Sequence, residues 1–348
     1  MRMLVIGGTG FIGPFLVHDL ERGGHTVAVF HRGLSAAPFP ANVQHILGDR
    51  RNLSAHSTEL RRFAPEVVID VILSSHAQAV ALMRTFRDVA GRVVVVSSID
   101  VYRACGVLHG TEPGPLEPVP LTEESALRTG PPYPPEVLER LRGVFDWVDD
   151  DYDKVPVERV ALESAEFPGT VLRLPMIYGP GDRKHRLLPL LKRMDDGRKQ
   201  ILLADQVALW QGPRGYVENV AAAIALAATS PSAAGRVYNV AQESPYSELE
   251  WAKLVAAQTA WSGEFVVLPR ERTPKHLLLP GNWSQHWTTS SCRIRQELSY
   301  REPIPLEEAL RRTIAWERAN PPADLDPKEF DYAAEDAALA VAGKPSRQ

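Results

Sequence analysis

The chain has 348 residues, of which 44% are hydrophobic and 24% are charged, and its formal net charge is −4. This ordinary globular composition, with a slight acidic excess, gives no indication of a nucleic-acid partner. The two cysteines, Cys105 and Cys292, match no metal-binding spacing, and no apolar run approaches the roughly 18–20 residues of a membrane span. We therefore expect a cytoplasmic protein that binds neither a metal nor a membrane.

Residues 7–13 read Gly-Gly-Thr-Gly-Phe-Ile-Gly and stand between an apolar run and a helical pattern. This order predicts a strand, a glycine turn and a helix. Gly7 permits the tight turn, Gly10 lets the main chain approach a pyrophosphate, and Gly13 allows close packing of helix on strand. The helix N-terminus offers N–H groups to phosphates. The alternative is a glycine turn without a ligand. We predict a dinucleotide site formed by Gly7, Thr9, Gly10, Phe11, Ile12 and Gly13.

Short apolar runs alternate with helical patterns through the first half of the chain. The apolar runs predict strands at residues 3–6, 26–30, 43–47, 67–71, 93–96 and 170–173. Because these runs are continuously apolar, they suit strands buried on both faces of a parallel sheet. Helical patterns lie between them, as at 77–90 and 156–167. The alternation predicts an α/β fold with a Rossmann doubly wound parallel sheet.

Residues 103–150 interrupt the alternation, since they are rich in Pro and Gly and contain one helical segment at 135–144. A long excursion of this kind inside a compact domain usually has a role or is mobile. Beyond the sixth strand, the patterns predict helices and one strand at residues 219–229, 237–240, 247–260 and 306–319. Ser247 and Glu250 have the spacing of a capping box.

Three structural units follow from this organisation. We expect residues 1–180 plus about 215–243 to form one large dinucleotide-binding domain, and residues 181–214 and 244–320 to form a smaller C-terminal α/β lobe. Residues 321–348 are polar, proline-bearing and alanine-rich, so we expect a loosely held tail.

The end of the second strand indicates which dinucleotide binds. Folds that prefer NAD place Asp or Glu here to bind the ribose 2′-hydroxyl, whereas this chain has His31 and Arg32. A guanidinium suits a 2′-phosphate through charge-assisted bidentate bonding. We therefore favour NADP over NAD, with His31 and Arg32 as contacts. The alternative is that Arg32 is a solvated loop residue.

Hydroxyl, phenol and ammonium groups follow the fifth strand and precede the 156–167 helix. Ser97 and Ser98 end the strand, at the edge where such sheets bind ligands, and we predict that Ser97 contacts the cofactor. Tyr152 and Lys154 come later in the chain. A phenol has a pKa near 10, and an adjacent ammonium lowers that pKa towards neutral pH, so the set suits proton transfer during hydride transfer. Lys154 can also hold ribose hydroxyls. Because Tyr and Lys are common residues, ordinary structural roles remain the alternative.

Five segments of the chain occur in the order seen in extended short-chain dehydrogenase/reductases: GGTGFIG, SSIDVY, KVPVE, LRLPMIYGPGD and RGYVENVAAAIALA. Over roughly residues 1–240 the chain resembles this family of NAD(P)-dependent epimerase/dehydratase relatives. The resemblance implies a Rossmann domain with a C-terminal substrate lobe, and it implies a homodimer. It also implies that Ser98 is the catalytic Ser/Thr, that Lys154 is the catalytic Lys and that Asp49 contacts the adenine.

One departure from the family concerns the Tyr-x-x-x-Lys spacing. The slot four residues before Lys154 holds Asp150, and Tyr152 lies two residues too close. Since Pro is tolerated only in the first turn of a helix, Pro156 predicts that the helix starts at Lys154 with Asp153 as its N-cap. Tyr152 would then precede the helix in extended chain, free to approach Lys154. One alternative is that Tyr152 has a structural role, and another is that the protein binds its cofactor without catalysing hydride transfer. The chain resembles most the atypical branch of the family, which includes reductases and RNA-associated proteins of chloroplasts.

The second departure is Met176, which stands where nucleotide-sugar enzymes of the family carry Asn and which cannot make that hydrogen bond. A nucleotide sugar is therefore disfavoured, although residues 182–186 and Arg214 could bind a phosphate or carboxylate in the substrate cleft. The alternative for these cations is a solvated charge run. We predict Tyr/Lys/Ser-assisted hydride transfer on a small hydroxyl or carbonyl compound, including sugar derivatives. The rival is a dinucleotide-binding sensor or an RNA-associated protein.

Overall fold

The computed structural model describes residues 1–35, 38–164 and 166–342. A parallel sheet of seven strands, built from these residues, forms the centre of the fold. In spatial order its strands are β10 (Val237–Asn239), β6 (Gly169–Leu174), β5 (Arg92–Ser98), β4 (Val67–Asp70), β1 (Arg2–Ile6), β2 (Thr26–His31) and β3 (Gln44–Leu47). All six pairings between neighbours are parallel. The predicted α/β class and Rossmann sheet are confirmed.

Helices cover the sheet and build the remainder of the chain. In chain order they are α1 (Gly13–Arg22), α2 (Ser57–Arg62), α3 (His76–Phe86), α4 (Arg103–His109), α5 (Pro135–Val144), α6 (Lys154–Leu162), α7 (Leu188–Asp195), α8 (Asp205–Leu209), α9 (Val217–Thr229), α10 (Glu248–Ala257), α11 (Cys292–Glu297), α12 (Leu306–Ala319) and α13 (Tyr332–Ala342). None of the helices in the described ranges is long and apolar enough to cross a membrane.

The two faces of the sheet bury separate apolar cores. Because successive side chains of a strand point to opposite faces, Met3 and Val5 pack with α1 and α9, and Leu4 and Ile6 pack with α3 and α6. All four side chains are fully buried. This burial on both faces is the physical reason for the continuously apolar strands seen in the sequence.

The strand order reverses beside β1, where β2 lies on one side and β4 on the other. Val5 is in register with Val29 of β2 and with Ile69 of β4. In an open α/β sheet such a reversal leaves a crevice at the carboxyl ends of the strands, and ligands bind there.

A second group of elements follows β6. Strand β7 (Met176–Tyr178) pairs with β9 (Arg214–Tyr216), and β8 (Gln200–Ala204) pairs with β11 (Glu264–Leu268). Their core joins side chains of α7, α10 and α12, including Leu191, Trp251 and Leu310. The division into a Rossmann domain and a substrate lobe stays our proposal. Helix α10 starts with the predicted capping box of Ser247 and Glu250.

The chain beyond residue 320 differs from the loose tail that we expected. Helix α13 carries Glu335, which is fully buried and accepts a hydrogen bond from Arg193 Nη2 at 2.6 Å. Arg193 lies in α7, so this buried ion pair fastens the segment to the second group of elements. Composition indicated a polar surface, but it could not reveal a charged partner 142 residues away. Residues 343–348 of the predicted tail lie outside the described residues.

Candidate functional site

A cleft opens at the carboxyl ends of β1, β2 and β4, where the strand order reverses. Its floor is the glycine turn, and all six residues that we predicted from that turn line it. Residues that follow β2, the turn at 48–51 and the chain after β4 form its walls. The remaining lining comes from the 145–147 segment, from Pro175 and Ile177, and from Arg183 and Arg186.

Each glycine of the turn meets a different steric requirement. Gly7 has a φ of +84°, and its N–H donates to the carbonyl oxygen of Phe30 at 3.1 Å. A Cβ on Gly13 would lie 2.1 Å from the Gly8 carbonyl oxygen, so only glycine allows the helix to approach this closely. A Cβ on Gly10 would meet nothing nearer than the Gly7 carbonyl oxygen, at 3.8 Å. Gly10 therefore leaves open space towards the cleft, as a pyrophosphate requires.

The N-terminus of α1 faces this open space. Its N-cap is Ile12, which supplies no side-chain hydrogen bond, and the first turn carries no acidic residue. The orphan N–H groups and the positive end of the helix dipole are therefore free to face an anion. The cradle fits the phosphates of a dinucleotide.

Polar side chains at the far end of the cleft already pair with one another. His31 Nε2 lies 2.8 Å from His45 Nδ1, and burial, followed by the neighbouring His45, lowers the pKa of His31. The carboxylate of Asp49 accepts hydrogen bonds from Nε and Nη2 of Arg51, and these bonds lower the pKa of Asp49. Arg32 Nη2 lies 2.5 Å from Asp146 Oδ2. His31, Arg32 and Asp49 all line the cleft, and their contacts with a cofactor stay predictions.

The chain preceding α6 has the predicted local geometry. Helix α6 begins at Lys154, and its N-cap Asp153 accepts a hydrogen bond from the Val155 N–H at 2.9 Å. Tyr152 lies before the helix, outside any helix or strand. The inference from Pro156 is thus confirmed.

Lys154 points into the protein rather than into the cleft. Its side chain is 2% exposed, and Nζ donates to the carbonyl oxygens of Leu73 and Val96. Burial lowers the pKa of Lys154 to about 8. The indole of Trp147, which lines the cleft, lies 5.2 Å from Nζ. Lys154 is therefore covered by an aromatic ring of the cleft wall.

Tyr152 does not have the lowered pKa that we expected from an adjacent ammonium. Its hydroxyl donates to Asp100 Oδ2 at 2.9 Å, and Tyr133 donates to the same oxygen at 3.2 Å. Burial raises the pKa of Tyr152 well above its usual value, and the charge of Asp100 raises it further. The expectation was wrong because the phenol is buried and because its nearest charged partner, Asp100, is an acid.

The two serines at the end of β5 have different surroundings. Ser98 is half-buried, and its Oγ accepts a hydrogen bond from the Asp100 N–H at 3.2 Å. Ser97 is 2% exposed and donates to Glu158, which also pairs with Arg173 at 2.7 Å. The Ser97 hydroxyl thus belongs to a buried network. Neither serine is among the residues that line the described cleft, and neither are Tyr152 and Lys154. The role that we expected for Ser97 in cofactor binding has no support in this geometry.

The cationic residues of the second group divide between the cleft and the core. Arg183 and Arg186 line the cleft, and Arg186 pairs with Asp182 at 2.6 Å. Arg214 instead pairs with Glu248 and lies over the Trp251 ring, 4.6 Å from its centroid. Arg214 is 8% exposed and its guanidinium is paired with Glu248, so this geometry gives no support to the substrate-binding role that we considered for it.

Sequence reasoning missed three residues of this region: Asp100, Asp146 and Trp147. Asp100 lies two residues after Ser98 within the SSIDVY segment, and its carboxylate could have been weighed as a partner for Tyr152. Asp146 and Trp147 lie in the interruption at 103–150, where two aromatic residues within a polar stretch were the available signal.

Comparisons with known proteins agree with this geometry. A family model described as the NAD dependent epimerase/dehydratase family matches residues 3–241. The 2′-dehydrokanamycin reductase of Streptomyces kanamyceticus is 32% identical over 141 residues, which are 40% of this chain and 36% of that protein. The 3-diazoavenalumate denitrifying reductase of a Streptomyces species is 27% identical over 262 residues, which are 72% of this chain and 79% of that protein.

Solved structures share the whole architecture at low identity. UDP-glucose 4-epimerase of Thermotoga maritima, solved with UDP-glucose, has a TM-score of 0.65 at 19% identity, over 92% of this chain and 99% of that one. dTDP-glucose 4,6-dehydratase of Bacillus anthracis, solved with NAD, has a TM-score of 0.64 at 18% identity, over 92% and 97% of the two chains. At this identity the likeness establishes the fold.

Proposed function

Because the chain belongs to the NAD dependent epimerase/dehydratase family, a family of NAD-dependent enzymes, we propose that it passes hydride between a nicotinamide dinucleotide and a small carbonyl or hydroxyl compound. The observation that carries this proposal is the cradle of residues 7–13, with open space at Gly10 beside the uncapped N-terminus of α1. A pyrophosphate there would receive main-chain N–H groups.

The cleft lining suggests how the rest of the cofactor lies. The adenosine would rest against His31, Arg32 and Asp49, and the nicotinamide against Ile72 and Ile177. The nicotinamide ring supplies or accepts the hydride when the dinucleotide is bound. Arg32 offers a guanidinium to a 2′-phosphate, and on that ground the NADP preference stays part of this proposal.

Proton transfer is assigned to Tyr152, with Ser98 orienting the substrate oxygen. The raised pKa of Tyr152 keeps the phenol protonated at neutral pH, and a protonated phenol can donate to a carbonyl oxygen as hydride reaches the carbon. In a carbonyl reduction, Tyr152 would supply this proton. To donate, the Tyr152 hydroxyl must break its hydrogen bond with Asp100. The Trp147 ring, whose centre lies 6.2 Å from that of the Tyr152 ring, must also move aside so that the hydroxyl reaches the cleft.

The proposed substrate is a small carbonyl compound, including sugar-derived ones, that carries an anionic or strongly polar group. Arg183 and Arg186 line the cleft and would face such a group. Met176 packs at the edge of the cluster that contains Trp210 and Trp287, so it offers apolar contact where the family pattern has an amide. A nucleotide sugar is therefore disfavoured.

Binding of NADH and NADPH to the purified protein tests the cradle. Gly10→Ala should lower affinity for both about tenfold or more, because the new methyl group enters the space that phosphate needs. The fold should tolerate it, since the nearest atom is 3.8 Å away. Gly91→Ala is the matched control, with its nearest atom at 3.6 Å and its position away from the cleft. Equal affinities for the two variants would refute the cradle.

A second candidate function is dinucleotide binding without Tyr–Lys chemistry. It is favoured by the burial of Lys154, whose ammonium is committed to two main-chain carbonyls. Binding of both dinucleotides by the unaltered protein without any NAD(P)H oxidation in the presence of carbonyl compounds would favour this second function over the first.

A further inference from the structure

An acidic residue reaches the end of β2 from a distant part of the chain. Strand β2 ends at His31 and is followed by Arg32, so the local sequence supplies no acid. In space, the Asp146 carboxylate lies 2.5 Å from Arg32 Nη2, although 114 residues separate the two. Both residues line the cleft. The Asp146 carboxylate therefore lies beside the residue that would meet the 2′ substituent of the adenosine ribose.

The segment that carries Asp146 is fastened to the body of the protein. Phe145 and Trp147, on either side of it, also line the cleft. Asp149, which lies two residues after Trp147, accepts hydrogen bonds from Ser74 Oγ at 2.9 Å and from Gln78 Nε2 at 3.0 Å. Ser74 and Gln78 lie just beyond β4 and within α3, so the position of Asp146 relative to the cleft is structurally defined.

The charges around this end of the cleft are balanced. Arg32 pairs with Asp146, and Arg51 pairs with Asp49. A 2′-phosphate adds about −1.5 to −2 charges and must compete with Asp146 for Arg32. A 2′-hydroxyl adds no charge and can donate a hydrogen bond to a carboxylate, which is the role that an acid at the end of β2 plays in NAD-binding folds.

We propose that Asp146 is a specificity-determining residue for the dinucleotide: its carboxylate occupies Arg32 and disfavours a 2′-phosphate relative to a 2′-hydroxyl. This inference rests on the proposed function, because a dinucleotide must occupy the cleft. Arg32 alone favours NADP, and Asp146 opposes that preference. The ratio of NADPH affinity to NADH affinity therefore depends on a residue that is far in the sequence from the end of β2, where the residue that selects the dinucleotide usually lies.

The test measures dissociation constants for NADH and NADPH with Asp146→Asn. The ratio of NADPH affinity to NADH affinity should rise about tenfold, because a carboxylate close to the phosphate is removed. Asp151→Asn is the matched control, since it removes one charge from the same segment at an exposed residue that lines no part of the described cleft. In an Arg32→Ala background, Asp146→Asn should change the ratio much less.

The outcomes separate this inference from the function on which it rests. An unchanged ratio in Asp146→Asn, with both dinucleotides still bound, overturns the role of Asp146 and leaves the proposed function intact. If the unaltered protein binds neither dinucleotide, the proposed function fails and the inference fails with it. Thermal melting of each variant checks the fold, and Asp146 should tolerate the change because its side chain is 55% exposed.

Discussion

The Tyr152 hydroxyl donates to the Asp100 carboxylate at 2.9 Å, whereas the Lys154 ammonium lies 5.8 Å from the centre of the Tyr152 ring. The phenol is therefore held by an acid and not by the lysine of its own segment. Burial and this pairing keep the phenol protonated. In a carbonyl reduction, Tyr152 would have to leave Asp100 before it could donate to a substrate.

Tyr152→Phe should lower kcat about 100-fold or more if the phenol donates the proton. Tyr133→Phe is the matched control, since Tyr133 donates to the same Asp100 oxygen at 3.2 Å. Each substitution should cost about 1 kcal/mol of unfolding free energy for the lost hydrogen bond. The measurement is NAD(P)H oxidation with a carbonyl compound that the unaltered protein reduces. Full turnover by a folded Tyr152→Phe variant would remove Tyr152 from the mechanism.

Lys154 should make stability depend on pH in an unusual range. Its pKa is about 8 when folded and 10.5 when unfolded, so between these values the unfolded chain binds more protons. Unfolding free energy therefore rises with pH through this window, by roughly 3 kcal/mol in the limit. Urea unfolding at pH 7.5 and 9.5, compared between the unaltered protein and Lys154→Met, isolates this contribution.

The control for that comparison is Lys199→Met, because Lys199 is exposed. The two variants should differ in their pH slopes, with the Lys154→Met protein lacking the rise. Identical slopes would mean that Lys154 titrates in the folded protein as it does when unfolded.

Gly13→Ala should destabilise the protein by about 1–3 kcal/mol. Helix propensity favours alanine by up to about 1 kcal/mol, but the new Cβ would lie 2.1 Å from the Gly8 carbonyl oxygen. The clash outweighs the gain in helix propensity, because the main-chain atoms of Gly8 cannot move aside without distorting the turn. Urea unfolding of Gly13→Ala and Gly10→Ala provides the test, and equal stabilities would show that α1 does not need this close approach.

Glu335→Gln should destabilise the protein by about 3–5 kcal/mol, because it leaves the buried Arg193 guanidinium without its charged partner. Asp336→Asn is the control in the same helix. The Asp336 side chain, which pairs with Arg198, is 61% exposed, so the unfolding free energy should fall by no more than about 1 kcal/mol. Guanidinium chloride unfolding measures both, and similar midpoints would indicate that α13 contributes little to the fold.

Local features of this fold could be predicted from the sequence. The strands, the glycine turn, the capping box at Ser247 and the N-cap at Asp153 depend on residues a few positions apart. The family and its NAD(P)-dependent class of enzyme are confirmed as well, because ordered motifs carried them.

Long-range partners could not be predicted. Nothing in the sequence distinguishes Arg214 from Arg183, since both were candidate cations of the substrate cleft. In the structure, Arg214 contacts Glu248 and Trp251 in the core. Tyr152 meets Asp100 across 52 residues, and Arg32 meets Asp146 across 114. Periodicity shows which face of an element is buried, but it does not identify the side chain from another element that lies opposite.

The order of the central sheet has a consequence for synthesis on the ribosome. Strand β6 is buried along its whole length, yet its outer neighbour β10 comes about 60 residues later in the chain, after β7, β8, β9 and α9. While those intervening residues emerge, β6 presents an open apolar edge, which is a template for association with other nascent chains. A translational pause while residues 175–236 are emerging from the ribosome would prolong that exposure, whereas a pause once β10 has emerged would allow the edge to close first.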